Sequence, residues 1–179
     1  MGWQPGPGNG AGEDPDRVPG GPPPARDPRL VQFASRDGQD APVPSGRLAL
    51  IADEVSGPGR RCPGATDDEL AGLLRAWAAV ESWAAAAKLG VIAEQIRRDG
   101  PPPHGRCHGD LPDEWSPSLR HQLALALACS VQSAETTAWL AWEQQARLPG
   151  IRALLSDGTL TLPKARAVTE TFRYLSDVR

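Results

Sequence analysis

The stretch TDDELAGLLRAWAAVESWAAAAKLGVIAEQIRRDG, residues 66–100, decides the fold class. Thr66 and Glu69 stand three apart ahead of an apolar run. That is a capping box: the hydroxyl accepts from the Glu69 amide while the carboxylate reaches back to the amide of Thr66. Asp67 and Asp68 suit the positive end of the helix dipole, and Arg97 and Arg98 suit the negative end. Leu70, Leu73, Leu74, Trp77, Val80, Ala84, Val91 and Ile92 recur at helical spacing and predict one core-facing stripe. Asp99-Gly100 supplies a stop, and Pro101, Pro102 and Pro103 prevent the helix from resuming.

Glu81 and Lys88 interrupt this stripe, seven residues and so two helical turns apart. A charge on a core face must be paired or must reach the rim. Two readings stand. Both side chains snorkel at the edge of the core, or they form a buried polar pair completed by an arginine such as Arg166.

Four more helices follow downstream. Ser116-Pro117 is a start signal, and SLRHQLALALAC has no β-branched residue, so its Leu-Ala alternation reads as helix with Leu119, Leu123 and Leu127 inside. Ser130 is placed to cap a helix over 131–147. This pair has the outline of a helix-turn-helix. The reading position, however, offers Glu135, Glu143, Gln144 and Gln145 with Arg147 only at its end, so packing is the expected role. Pro149 opens a short helix that Gly158 stops, and Thr161 with Pro163 opens the last one. Its inner face is expected to hold Leu162, Ala165, Val168, Phe172 and Leu175, with Arg166, Glu170 and Arg173 alongside. No stop signal follows, which predicts one exposed apolar seam at the C-terminal end.

Upstream the composition changes. Residues 1–64 hold 12 of the 19 Gly and 12 of the 19 Pro. The expectation is a disordered Gly/Pro-rich tail over 1–64, with RLALIADEV (47–55) as a possible short helix, and a helical domain over 65–179. The fold class expected is all-α: an irregular bundle of about five helices behind that tail.

The formal net charge is −3, unevenly spread. Residues 65–146 carry six Lys and Arg against eleven Asp and Glu, whereas residues 147–179 carry six against three. A phosphate-facing surface therefore belongs at the C-terminal end, with Arg147, Arg152, Lys164, Arg166 and Arg173 as its candidates. His104, Cys107 and His108 are metal-type ligands at close spacing. They lack the second pair that a zinc site needs, and Cys62 would have to fold back to complete a set, so no metal is expected. No paired carboxylates, activated nucleophile or phosphate-cradling glycine loop stand out, so neither a catalytic residue nor a cofactor is expected. Three cysteines, Cys62, Cys107 and Cys129, do not make a disulfide framework. MGWQPGPGNG has neither a signal peptide's basic start and apolar run nor the serine or threonine of a myristoylation site. A cytoplasmic protein that does not enter the membrane is the expectation.

Residues 69–98 and 119–170 together resemble an actinobacterial family, the domain of unknown function 222 or 13E12-repeat family. The likeness lies in an ordered set. An acidic helix start precedes an L-x-x-W-x-x-x-E-S-W-like core, and a Leu-Ala helix ends before Ser130. Then come R-L-P at 147–149, L-x-x-G-x-L at 155–160 and K-A-R-A at 164–167. The resemblance covers about 110 residues and implies an all-α region of the kind found ahead of HNH endonuclease modules. Such a module needs a metal and a histidine base, and this sequence has no histidine after His121. The resemblance therefore implies a non-catalytic module, the N-terminal part of a longer protein or a truncated product, acting through DNA or a partner protein. The alternative is a structural or oligomerisation module that buries its open seam against a second copy or a missing C-terminal module.

Overall fold

The computed structural model describes residues 25–34, 42–100 and 110–173. Among them are six α-helices and no strand: α1 (Gly46–Ser56), α2 (Asp67–Asp99), α3 (Pro117–Ala126), α4 (Val131–Ala146), α5 (Pro149–Ser156) and α6 (Leu162–Arg173). Two short 3-10 turns, Pro28–Phe33 and Pro58–Arg60, flank α1. The all-α class is as expected. The five helices past residue 65 stand where their caps placed them.

The caps are made as the sequence requires. Thr66 Oγ1 accepts from the Glu69 amide at 3.3 Å, and Glu69 Oε2 accepts from the Thr66 amide at 2.8 Å. That amide, helped by the Arg26 guanidinium, holds the buried Glu69 carboxyl below the usual carboxylate range. Ser116 Oγ and Ser130 Oγ accept from the Leu119 and Ser133 amides at the starts of α3 and α4. The break between those helices turns at Ala128, whose φ of +49° is left-handed.

α2 is the axis of the molecule. Its N-terminal half packs against α1 and the 28–33 turn, around Leu30, Phe33, Ala52, Val55, Leu73 and Ala76. Its C-terminal half packs against α4 and α5, and more lightly α3, around Leu89, Ile92, Ile96, Leu123, Leu140 and Leu155. The compositional break at Gly64 is therefore not a packing boundary. Within the stretch expected to be a tail, residues 28–33 and 46–56 are helical and docked, and the short helix expected at 47–55 is α1. Few apolar residues suffice there because they meet the ready surface of α2 and need no core of their own.

The core-facing stripe of α2 is a correction. Leu73, Val80 and Ile92 point inward as expected, but Leu70, Leu74, Ala84 and Val91 are exposed, Leu74 at 71 % and Val91 at 63 %. The buried face is instead built on small residues: Gly72, Ala76, Ala79, Ala85, Ala86 and Ala93. Alanine lets neighbouring backbones approach, so the face with the larger side chains is not the face that packs. Three further core assignments also shift. Phe172 is 45 % exposed, while Thr169 beside it is fully buried, its hydroxyl donating to the Ala165 carbonyl at 2.8 Å. Leu127 and Val168 are half-buried. Leu175 lies outside the described residues.

The α3–α4 pair packs, as its sequence suggested. α4 lies between α2, α3, α5 and α6 and buries Ala134, Ala138, Leu140, Ala141 and Trp142, and its exposed residues Gln132, Ser133 and Thr136 include no cation. Trp142 Nε1 donates to the Pro112 carbonyl at 2.7 Å, pinning the segment before α3 onto α4. The α5–α6 turn packs as well. Gly158, at φ +80°, sits so close to α2 that a Cβ there would lie 2.9 Å from the Ala79 Cβ. Left-handed geometry and this approach both call for glycine.

Candidate interaction surfaces

The five cationic residues expected to face phosphate do not have equal freedom. Arg147 follows α4 and is mostly buried, and its Nη1 donates to Glu143 Oε1 at 2.8 Å. Glu143 is itself buried, so this pair satisfies the interior and Arg147 is held by it. Arg152 on α5 is half-buried and leans over α2 beside Gly90. Lys164 and Arg166 on α6 are exposed, and neither has an ion-pair partner among the described residues. Arg173 ends α6, and its side chain lies outside the described residues. The sequence grouping of five thus reduces to Lys164 and Arg166, which stand on opposite flanks of α6, about 160° apart around its axis. α6 packs chiefly on α4 and α5 through Ala165 and Thr169, between them. Leu162, Pro163, Arg166, Ala167 and Glu170 line a shallow cleft on the Arg166 side.

Glu81 and Lys88 are both exposed, which removes the buried-pair reading and any role for Arg166 in it. Each lies on the outer side of α2 with no ion-pair partner among the described residues.

His104, Cys107 and His108 lie outside the described residues. The ends of their loop are clasped together. Asp99 accepts from the Ser116 amide at 2.6 Å and from its hydroxyl at 2.8 Å, joining the end of α2 to the start of α3. Arg97 grips Asp110 through Nε at 2.6 Å and Nη2 at 3.1 Å. Sequence reasoning assigned Arg97 only to the helix dipole. Its long-range partner carries no sequence signal beyond opposite charge. Cys62 is buried beneath α1, and among the described residues no group of three or more His, Cys, Asp or Glu is placed to hold a metal ion. No helix among the described residues is long and apolar enough to cross a membrane.

One polar group was missed by the sequence reading. Gln144 is buried, and neither its carboxamide nitrogen nor its oxygen has a hydrogen-bond partner among the described residues. A buried amide left unpaired costs about 1–3 kcal/mol. Gln144→Met keeps the shape without the amide, so its thermal midpoint is expected to lie above the parent's, by an amount equivalent to about 1 kcal/mol. A lower midpoint would mean that the amide is paired in solution.

Comparison with protein-family models, curated proteins and solved structures returned no match. The interaction surfaces therefore rest on the chain's own geometry.

Proposed function

We propose that this chain is a non-catalytic helical module of the HNH-endonuclease-associated kind, acting in the cytoplasm by contact with DNA through the exposed cations of α6. The observation that carries the reading is that Lys164 and Arg166 are both exposed, without an ion-pair partner among the described residues, on a helix that packs through Ala165 and Thr169. Three things support it. Residues 147–179 are net positive, with six Lys and Arg against three Asp and Glu, in a chain whose formal net charge is −3. The resemblance of residues 69–98 and 119–170 to the domain of unknown function 222 family points the same way. The rest of the domain is acidic, so phosphate would approach from this end only.

Phosphate neutralisation releases counterions, so binding must weaken with salt. With Lys164 and Arg166 each meeting one phosphate, affinity for a short duplex should fall about twelve-fold between 50 and 200 mM salt. Replacing Lys164 and Arg166 by alanine should lower the logarithmic salt slope by about 2. Fluorescence anisotropy on a labelled duplex measures both. Binding that ignores salt, or that survives the double substitution unchanged, would overturn the reading.

A further inference from the structure

The outer face of α2 is not used by the reading above. Leu70, Leu74, Trp77, Ala84 and Val91, with Glu81 and Lys88 between them, follow one another at spacings of four and three residues. That is the heptad spacing of a coiled-coil seam, with two of its seven positions charged. It runs about 32 Å along the helix at 1.5 Å per residue. Leu74 and Val91 are exposed at 71 % and 63 %, Ala84 is exposed, and Trp77 is half-buried with the Arg60 guanidinium 5.8 Å from its ring centre. A soluble helix seldom presents so ordered an apolar row to water without an occupant. The two charges lie about 10 Å apart along the axis, too far to pair directly with each other.

We propose that this face binds a second copy of the chain, α2 against α2, in antiparallel orientation. The charges select both occupant and direction. A parallel pair would set Glu81 against Glu81 and Lys88 against Lys88, which is repulsive at both levels. An antiparallel pair with its two-fold axis near residues 82–84 brings Leu74 of each copy opposite Val91 of the other. It also brings Glu81 within about one helical turn of the other copy's Lys88, twice by symmetry, a gap that the lysine stem spans. Ala78, Ala84 and Ala87, all exposed, leave room for close approach of the two helices. The contact is isologous, so it closes at two copies and does not propagate into a filament.

Sedimentation equilibrium on the full chain, from low to high micromolar concentration, tests this. The parent should show a reversible monomer–dimer equilibrium. Glu81→Lys and Lys88→Glu, each alone, should raise the dissociation constant by about tenfold or more, the scale of a close charge pair made repulsive. The double swap Glu81→Lys with Lys88→Glu should return it close to the parent value, because antiparallel pairing then sets the introduced lysine of each copy near the introduced glutamate of the other. All three are exposed substitutions, and circular dichroism should show the helical content intact. A parent that stays monomeric throughout would overturn the proposal. So would a dimer indifferent to the single changes, or a double swap as weak as either single.

Discussion

Gly72→Ala is expected to strip the N-terminal cap from the bundle. A Cβ at position 72 would lie 1.7 Å from the Phe33 carbonyl oxygen and 2.7 Å from its carbon, both backbone atoms with no rotamer to change. The 28–33 turn must therefore move away bodily. It carries Leu30, fully buried, and Phe33, nearly so, into the cluster with Ala52, Val55 and Leu73. Losing both burials removes up to about 3–6 kcal/mol, at 1.5–3 per large side chain. Alanine returns only about 1 kcal/mol through its better helix propensity. The loss wins. Limited proteolysis should cut near residues 28–33 much faster than in the parent, and the thermal midpoint should fall by roughly 10 °C, at about 2–4 °C per kcal/mol. Because the C-terminal half of α2 packs on α3, α4 and α5, most of the far-ultraviolet helical signal should survive at room temperature. Equal protease resistance and an equal midpoint would show that the 28–33 turn does not dock at Gly72.

The contrast between Gly72 and the capping box shows what the sequence could and could not convey. Thr66 with Glu69, Ser116 with Pro117, Ser130, Pro149 and Gly158 act within a few residues of themselves. Local hydrogen bonding and backbone preference settle them, and every helix past residue 65 was legible from such signals. Gly72 acts on Phe33, Asp99 on Ser116, Arg97 on Asp110 and Trp142 on Pro112. These partners are chosen by the tertiary path of the chain, and no local pattern names them. The Gly/Pro-rich composition before residue 64 gave no sign that residues 28–33 and 46–56 dock, for the same reason. It measures the capacity to form a core alone, whereas Leu30, Phe33, Ala52 and Val55 complete a core that α2 already presents.

The exposed cations were legible only in part. Charge counting located the correct end of the chain but gave Arg147 the same weight as Arg166. What separates them is burial: Arg147 neutralises the buried Glu143 four residues back, while Arg166 is exposed and has no ion-pair partner among the described residues. Spacing alone cannot tell an i,i+4 pair that is buried from one that is solvated.

The same ambiguity, turned through half a helix, governs the largest stability effect expected. Ile96 and Leu74 are large aliphatic residues on α2, and their fates under substitution should be opposite. Ile96 is fully buried among Leu89, Leu111 and Leu123 and its neighbours. Ile96→Asp removes about 2–5 kcal/mol of packing and adds several more for a buried, unpaired carboxylate. That sum is comparable to the whole stability of a domain, about 5–15 kcal/mol, so the cooperative thermal transition should vanish. Ile96→Ala keeps the experiment readable, with an expected loss of about 2–5 kcal/mol in a denaturant titration. Leu74→Asp, by contrast, changes an exposed position and should cost the monomer no more than about 1 kcal/mol, mostly helix propensity. The periodicity of α2 does not distinguish the two positions, because an Ala-rich inner face and a Leu-bearing outer face share one period. If α2 pairs with a second copy, Leu74→Asp acquires a signature that Ile96→Ala lacks. Dimerisation stabilises the folded state by mass action, so the parent's midpoint rises with protein concentration while the Leu74→Asp midpoint stays flat. A Leu74→Asp chain that melts without cooperativity even at low concentration would return Leu74 to the core and overturn the packing of α2 described above.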